Sequence, residues 1–504
     1  MLKKILILSL ALYFSSCSNK TSLVQNKSKG SSMLLEKIIT EIKQKSSKIN
    51  YKLPPHEVVT LDNQLQVIFM KDDLPYIHFN LRLNAGKRFD SIAGTSEAVA
   101  GLLDKGTTSL SREAILNNLD KLGASFLANA DQEFSWVQSS GLAKNGIELM
   151  RLYWNLLSDS IFLDSEWQKE KKIFLAELER LPNVPNNFLQ TVFEDFSYKG
   201  AVYKSESRQS IKSLTSTHLK EFYHKHYQPA SASLLVLGQY SEELKQAVIK
   251  KFSTWKTKGV PRSVLTENQN TFSSPVTLVN KGDSTQANVI IGMPVNLFSG
   301  HPDSLAVRLA NFSLGAGGFN SRLMDRVRKK EGLTYGIYSY FSFLKELGTF
   351  QIVSSTNQGS LGKLLNVTFE EITNFYNNGV SQAELDFAKL YYSNSLFSSL
   401  EKKENLMESY LSLSGIGKNP VEHFETFANR VRSVSLAEVN KVIKKYFNPN
   451  SMKIFVLANK DSKGGEANPK NKSEFTITEQ INSFSKNFPS HKGMKIIDYK
   501  GISY

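Results

Sequence analysis

Hydrophobic and polar residues follow two different periods along the chain. An alternation typical of a half-buried antiparallel strand covers Ile77 to Leu83, and the segments Val58 to Leu61 and Leu65 to Met70 flank the turn dipeptide Asp62-Asn63. Helical spacing then predicts helices over Glu97 to Asp104, Ser111 to Leu122, Gly146 to Ser158 and Ser165 to Arg180, with Gly123 and Pro182 as stops. Strands beside strands and helices beside helices predict an α+β fold.

A long internal repeat indicates a duplication. The segment from Ser213, SLTSTHLKEFYHKHYQPASASLLVLGQ, is matched by SVSLAEVNKVIKKYFNPNSMKIFVLAN from Ser433. Each copy reads as an amphipathic helix, a proline break at Pro229 or Pro449, and a buried strand. A repeat of this length predicts two homologous domains, each a mainly antiparallel sheet packed with helices.

The second half shows the same two periods. Strands are predicted near Pro275 to Val279, Ala287 to Pro294 and Thr349 to Ser354, and helices over Leu361 to Tyr376 and Ser381 to Ser414. The resulting division of the chain is residues 51–258 for the first domain, 259–273 for a linker, 274–460 for the second domain, and 461–504 for a flexible link with a C-terminal extension of unknown role.

Composition excludes some classes of protein. The 504 residues are 40% hydrophobic and 11% aromatic, which is ample for globular cores and excludes wholesale disorder. The formal net charge is +15, but the lysines are spread along the chain, which favours solvated faces over a nucleic-acid-binding arm. After the N-terminus, no stretch has the roughly 18 consecutive apolar residues expected of a membrane-spanning helix.

The N-terminus has the layout of an export signal. Lys3 and Lys4 precede an apolar run from Ile5 to Phe14, and FSSC, ending at Cys17, resembles a bacterial lipobox, with Phe14 in place of the usual Leu. We predict a lipoprotein signal over residues 1–17, lipidation at Cys17 and a tether over residues 18–50. The expected location is the bacterial cell envelope, facing the periplasm. The alternative is a free thiol inside a removed signal.

One stretch, Leu314 to Phe341, concentrates unusual chemistry. Its sequence, LGAGGFNSRLMDRVRKKEGLTYGIYSYF, predicts a glycine-rich loop, a basic helix, a turn at Gly332 and a strand. GAGGFN does not fit the G-x-G-x-x-G phosphate loop, and no Lys-Ser/Thr pair follows it, so a nucleotide site is disfavoured.

The complete string resembles the C-terminal-half signature of the M16 (insulinase or pitrilysin-like) metallopeptidase family. TLDNQLQVIF, LRLNAGKRFDS, KGTTSLSREAI and FYHKHYQPASASLLVLGQY are similar to family segments in the expected order, so that the resemblance covers nearly all of Val58 to Lys460. It implies two α+β domains that form half of a clamshell. It also implies that Arg328 and Tyr335, seven residues apart in RKKEGLTY, are a substrate-binding pair.

The chain departs from the family at its zinc motif. Active members carry His-x-x-Glu-His shortly before the K-G-T run, in which two His on one helix face bind zinc and the Glu activates a water. Here Glu97, Ala100 and Gly101 occupy those three positions, and only the distal family ligand position, Glu177, keeps its carboxylate. His224 and His226 are predicted to be surface residues that point to different helix faces. For Glu97 and Glu177, a helix-surface charge or an ion-pair network is the simpler interpretation.

The resemblance and the departure together indicate a non-catalytic subunit. In two-chain M16 peptidases one subunit carries the zinc motif and its partner carries the Arg/Tyr pair. We therefore expect no cofactor in this chain, zinc only in a partner subunit, and as partners a zinc-bearing M16 homologue, peptide substrates and a membrane through the N-terminal lipid, without nucleic acid. Two alternatives stay open: an inactive peptide-binding or assembly module, and a residual metallopeptidase using Glu97, Glu177 and an unforeseen His.

Overall fold

The computed structural model describes residues 52–198, 205–256, 274–465 and 472–502, which belong to one compact unit. The predicted signal, Cys17 and the tether lie outside the described residues, as does the whole of the predicted linker. Among the described helices, none has the length and apolarity needed to cross a bilayer.

Two six-stranded mixed sheets form the framework, one in each half of the chain. The first sheet has the order β1-β2-β6-β3-β5-β4 and the second has the order β12-β7-β11-β8-β10-β9. The strands are β1 (His56–Thr60), β2 (Gln66–Lys71), β3 (Tyr76–Leu83), β4 (Ser125–Ala130), β5 (Ser135–Leu142), β6 (Ala232–Gly238), β7 (Val276–Asn280), β8 (Gln286–Val295), β9 (Ile337–Phe343), β10 (Gly348–Asn357), β11 (Lys453–Ala458) and β12 (Met494–Asp498).

The two sheets share the pairing pattern that a duplication predicts. In each, a central strand from the sequence repeat, β6 or β11, pairs parallel on one side and antiparallel on the other. Two more antiparallel strands then lead to an edge strand, β4 or β9. The α+β architecture with two homologous, mainly antiparallel sheets is therefore confirmed.

The opposite edges of the sheets differ. In the first sheet β1 forms an antiparallel hairpin with β2 around the predicted Asp62-Asn63 turn. In the second sheet the equivalent edge is β12, from the C-terminal extension, and it pairs parallel with β7. A helix of the extension, α15 (Ile477–Asn487), buries Ile477, Ile481 and Phe484 in the second core. The extension thus completes the second sheet.

The remaining helices flank the sheets. They are α1 (Thr95–Leu102), α2 (Arg112–Leu122), α3 (Gly146–Ser158), α4 (Asp164–Arg180), α5 (Pro185–Ser197), α6 (Arg208–Ser213), α7 (Ser216–His226), α8 (Glu242–Phe252), α9 (Ser304–Asn311), α10 (Leu361–Asn378), α11 (Gln382–Leu400), α12 (Lys403–Gly415), α13 (Pro420–Ser433) and α14 (Leu436–Tyr446). The single helix predicted over Ser381 to Ser414 is wrong, because the chain breaks between Leu400 and Lys403 into α11 and α12.

Each half lends one helix to the other half's sheet. Helix α5 of the first half packs Phe188, Leu189, Val192 and Phe193 on β7, β8 and β11. Helix α12 of the second half packs Leu406, Met407, Tyr410 and Leu411 on β2 and β6. This exchange buries both faces of each sheet centre, and the apolar area removed from water holds the halves together.

The exchange also explains an incorrect expectation for β3. The alternating pattern of this strand predicts one solvated face, yet Asn80 and Arg82 are 2% and 3% exposed. Helix α12 covers that face, and Nη1 of Arg82 donates a 2.7 Å hydrogen bond to the carbonyl of Leu411. The polar residues therefore face the other half of the chain rather than water.

Candidate functional site

Helix α1 carries the positions of the degraded zinc motif. It begins at a turn that Gly94 and the carboxylate of Asp90 stabilise. Gly94 has φ +93°, a conformation that favours glycine, and an added Cβ there would lie 2.6 Å from Ile211. The carboxylate of Asp90 accepts hydrogen bonds from the backbone N–H of Gly94 and Ser96 at 3.0 and 2.9 Å. These bonds satisfy N–H groups at the helix start and fix the direction in which Glu97 projects.

Glu97 is held by a lysine rather than by a metal. Nζ of Lys87 lies 2.9 Å from the Glu97 carboxylate and 2.8 Å from that of Glu206. Burial alone would lower the pKa of Lys87, but Glu206 and Glu97 outweigh it and raise the pKa above its usual value. Burial raises the pKa of Glu97 despite the opposing effect of Lys87. The ammonium is thus a permanent cation between two carboxylates.

The other motif positions offer no metal ligand. Ala100 is 2% exposed and has only a methyl group, and Gly101 has no side chain. Glu177 is an exposed residue of α4. Within the described residues, no three His, Cys, Asp or Glu side chains come close enough to hold a metal ion. With Glu97 bound to Lys87, this set does not fit the family's zinc.

Polar contacts on α5 lead from Glu194, which the charges of Lys87 and Glu206 influence, to the edge of the second sheet. On α5, Glu194 accepts a 2.7 Å hydrogen bond from Gln190, and the hydroxyl of Tyr340 on β9 donates to Gln190 at 3.2 Å. Burial raises the pKa of Glu194, against the opposing effects of Gln190 and Lys87. Helix α5 therefore links the degraded zinc motif to β9, the strand that follows Tyr335.

A separate ion cluster, formed by Arg88, Glu133 and Glu346, joins the two halves of the chain. Arg88 donates to Glu133 at 2.6 Å and to Glu346 at 2.9 Å. Glu133 also accepts the backbone N–H of Lys345, at the tip of the β9-β10 hairpin, at 3.1 Å. The Arg88 and Glu133 side chains are 3% and 8% exposed. The hairpin and the first half are thus joined by buried charge-assisted bonds.

The stretch around Arg328 is helical for more of its length than the sequence predicts. The prediction of a glycine-rich loop is wrong, because Phe312–Ala316 forms a π-helical turn that continues α9. An added Cβ on Gly315 would lie 2.3 Å from Oγ of Ser339 and 2.7 Å from its backbone N, so the glycine permits close helix-strand approach. A second π segment covers Met324–Lys330, and such turns are frequent at functional sites.

Gly332 ends this second segment as predicted. It has φ +65°, its N–H bonds the carbonyl of Arg328 at 3.0 Å, and the N–H of Leu333 bonds the carbonyl of Val327 at 3.1 Å. This reversal resembles the usual left-handed helix stop.

Two arginines of the basic run have structural partners. Arg322 binds Glu384 through Nε at 2.6 Å and also donates to the carbonyl of Gly379 at 2.9 Å. Arg326 pairs with Glu331 and, at 3.5 Å, with Glu370. These residues anchor the segment to α10 and α11 and are not available to a ligand.

Arg328 and Tyr335 are different from these anchors. Across the described ranges, Arg328 has no carboxylate partner, and its guanidinium carbon lies 4.7 Å from the ring centroid of Phe319. Tyr335 is 89% exposed, and Phe319 is 58% exposed. No hydrogen bond among the described residues joins Arg328 to Tyr335. Both polar groups are therefore free to meet a ligand. Nothing in the local sequence pattern indicates Phe319 as the ring beneath Arg328.

The two histidines of FYHKHY have different environments. His224 is exposed, as predicted, but His226 is only 4% exposed, so the surface prediction for it is wrong. Its ring lies 4.5 Å from Phe222 and 5.1 Å from Phe89, and burial lowers its pKa to about 4. His226 is a neutral core residue. The final turn of α7 places it on the buried face.

Comparisons with known proteins agree with this geometry. The family model described as peptidase M16 inactive domain matches residues 213–392. The uncharacterized zinc protease YmxG of Bacillus subtilis is 24% identical over 375 residues, covering 72% of this chain and 89% of that protein. The non-peptidase homolog YmxG of Helicobacter pylori is 30% identical over 185 residues, 35% of this chain and 41% of that protein.

Solved structures share the fold. A crystal structure of a peptidase M16 inactive domain from Pseudomonas fluorescens superposes with a TM-score of 0.73 and 22% identity, covering 80% of this chain and 98% of that one. A protease from Helicobacter pylori gives a TM-score of 0.72 at 20% identity, covering 81% and 100%. The chain is a peptidase-like protein with an M16 inactive domain. The match to this domain covers residues 213–392, and the residues at the degraded motif positions do not fit a catalytic zinc.

Proposed function

We propose that this chain is the substrate-binding, non-catalytic subunit of a two-chain M16 peptidase. In this proposal it is exported, anchored by a lipid at Cys17, and paired with a zinc-bearing M16 homologue that cleaves peptides. The observation that carries the proposal is the contrast within one helical segment: Arg322 and Arg326 are bound to carboxylates, whereas Arg328 has no carboxylate partner among the described residues. Tyr335, seven residues further along the chain, is exposed.

The chemistry of the pair suits a peptide at a hydrolytic centre. A guanidinium and a phenol hydroxyl both donate hydrogen bonds, and a peptide backbone offers carbonyl oxygens, one of which gains negative charge during hydrolysis. Phe319 supports the Arg328 guanidinium from one side, which limits its freedom before the ligand arrives. Donors held in place in this way lower the barrier without reorganising.

The degraded zinc motif supports the proposal that a partner subunit supplies the metal and the base. Lys87 already pairs with both Glu97 and Glu206, and Ala100 provides no base. Bond cleavage therefore requires a metal and a base from another chain. The name non-peptidase homolog, borne by the Helicobacter pylori relative, is compatible with such a role.

The envelope location rests on the N-terminal sequence. Lys3, Lys4, the apolar run to Phe14 and FSSC at Cys17 have the order of a lipoprotein signal. A periplasm-facing lipid anchor would keep the peptidase at the membrane surface.

The test is peptide hydrolysis by the zinc-bearing M16 homologue of the same genome, with and without this chain. We expect the chain to be inactive alone and to raise the partner's turnover, and Arg328→Ala or Tyr335→Phe to abolish the increase. Matched controls are Lys330→Ala on the same segment and Tyr391→Phe, which is 52% exposed on α11. Peptide binding without any effect on a partner would instead favour a binding or assembly module.

A further inference from the structure

A cavity, distinct from the surface around Arg328, lies between the two halves. Its volume is about 1000 Å³. The first half contributes the β4-β5 turn at Asp131 to Phe134, and the second half contributes residues of α9, α11 and α13. Nothing in the proposed peptidase role uses this space.

Three cations surround one histidine in the cavity wall. Burial, together with the charges of Arg430, Lys418 and Arg308, lowers the pKa of His423 to about 4, so all three charges act on the same ring. Burial also lowers the pKa of Arg308. None of the three cations forms an ion pair with any residue the structure describes. Glu422 opposes part of the Arg430 charge, whereas Arg308 and Lys418 have no carboxylate partner in the part of the chain that the structure describes.

The carboxylates of the wall are already engaged. Asp131 accepts the indole N–H of Trp136 at 2.8 Å together with backbone N–H groups. The other three pair elsewhere: Glu133 with Arg88, Asp303 with Lys445 and Tyr446, and Glu438 with the N-terminus of its own helix at Ser435. They do not neutralise the three cations around His423.

His423 adds a neutral donor. Its Nδ1 accepts a 3.0 Å hydrogen bond from Nη2 of Arg430, and burial keeps the ring uncharged. The proton of the neutral ring is then on Nε2, which can donate to an anion. Arg430 is itself oriented by the carbonyl of His423 at 3.2 Å.

Apolar groups form a large part of the remaining wall, beside serines and two further lysines, Lys345 and Lys441. The guanidinium carbon of Arg308 lies 4.8 Å from the ring centroid of Phe343, and that of Arg430 lies 5.9 Å from the ring of Phe427. Leu396 and Leu413 extend this surface. A ligand that fits must therefore combine one anionic group with an apolar body.

We propose that the space between the halves is a binding site for a small amphipathic organic anion, in which Arg308, Arg430 and Lys418 bind a carboxylate or phosphate and the aromatic wall binds the apolar part. The site is independent of the substrate pair, because its residues lie on α9, α13 and the loop before α13 rather than on the Arg328 segment. A ligand held by both halves would also stabilise their packing.

The test is calorimetric titration of the full chain with octanoate, octyl phosphate, octylammonium, 1-octanol and inorganic phosphate. We expect the two octyl anions to bind and to raise the melting temperature, and the other three to bind at least about tenfold more weakly. Equal binding of octanoate and octanol would overturn the ionic part of the proposal. Equal binding of octyl phosphate and inorganic phosphate would overturn the apolar part.

Variants locate the site. Arg308→Gln and Lys418→Gln should each weaken octanoate binding about tenfold or more, since both remove a charge that no carboxylate compensates. Lys363→Gln, whose side chain pairs with Glu331 away from the cavity, is the matched control and should bind normally. The melting temperature of each variant is also measured without ligand, so that a folding defect is recognised. Wild-type affinity in both cavity variants would overturn the proposal.

The neutral state of His423 gives a second readout. Octanoate is ionised throughout pH 6 to 8, so its affinity should stay constant if His423 remains uncharged in this range. An increase in affinity of several fold at pH 6 would show that His423 gains a proton there and would contradict the assigned Nε2 donor.

Discussion

Nζ of Lys87 lies 2.9 Å from the carboxylate of Glu97, the residue that the sequence resemblance places at the first histidine position of the M16 zinc motif. A lysine ammonium thus provides the positive charge in a place where the motif residues of active relatives would bind a metal. Lys87 also binds Glu206 at 2.8 Å, so one ammonium is shared by two carboxylates within the chain. Loss of the histidines and gain of this ion pair point in the same direction.

The first prediction concerns metal content. Purified chain, dialysed against buffer with trace zinc, should hold less than about 0.1 zinc per chain, since two oxygen ligands already paired with lysine bind zinc poorly. Elemental analysis by mass spectrometry measures this directly. Stoichiometric zinc that survives dialysis would revive the residual metallopeptidase alternative.

The ion cluster of Arg88, Glu133 and Glu346, which joins the two halves, leads to a prediction about stability. Arg88→Ala should lower the free energy of unfolding by roughly 3 to 5 kcal/mol, because it leaves the buried Glu133 carboxylate without its cation. Glu346→Gln is the control, and it should cost less than about 1 kcal/mol, because the Glu346 side chain is 37% exposed. Urea unfolding of both variants is the measurement. Similar losses of unfolding free energy in the two variants would contradict a larger contribution from the buried Arg88–Glu133 pair.

His226 gives a pH prediction. In the folded chain its pKa is about 4, below the ordinary 6.5, so the unfolded state takes up a proton first as the pH falls. The stabilising contribution is complete above pH 6.5 and is lost toward pH 4, and it should fall by roughly 2 kcal/mol between pH 7 and 5.

His226→Phe is the variant that isolates this effect. Phenylalanine can pack between Phe89 and Phe222 and has no Nδ1, an atom that lacks a hydrogen-bond partner in the described structure. The variant should therefore lose that part of the acid sensitivity while keeping its stability at pH 7. Unfolding curves at pH 7 and pH 5 test this, and an unchanged pH dependence would contradict a buried neutral His226.

The lipid anchor is a separate prediction. Cys17→Ser should abolish incorporation of labelled palmitate and release the protein from the membrane fraction, since Cys17 is the only cysteine in the chain. Ser18→Ala, one residue further on, should change neither. Membrane retention of the Cys17→Ser protein would mean that another feature holds it there.

Local patterns and the repeat predict most of the framework. The hairpin at Asp62-Asn63, the helices α2 and α3 and the central strands β6 and β11 follow from periodicity, because burial of one face selects the same residues that the pattern marks. The prediction of a solvent-exposed face on β3 is wrong because a helix of the other half of the chain covers that face. Arg82 is covered by a helix more than three hundred residues away, which no local window contains.

The candidate site divides in the same way. Motif spacing identified Glu97, Arg328 and Tyr335, since the family string fixes their order. It could not identify Lys87 and Glu206 as the partners of Glu97, because these residues meet only through the tertiary fold. Nor could it separate Arg328 from Arg322 and Arg326, whose carboxylate partners come mainly from α10, α11 and the following turn.

The most direct test of the account is the turnover of a fixed peptide by the zinc-bearing M16 homologue mixed with this chain or with its Arg328→Ala variant. The account predicts that the wild-type chain raises kcat/KM, that Arg328→Ala lowers the value for the mixture by about 10² or more, and that Lys330→Ala does not. The variant must still bind the partner in a pull-down, so that loss of pairing is excluded. Equal turnover with wild-type and Arg328→Ala chains would contradict the assignment of Arg328 to substrate binding.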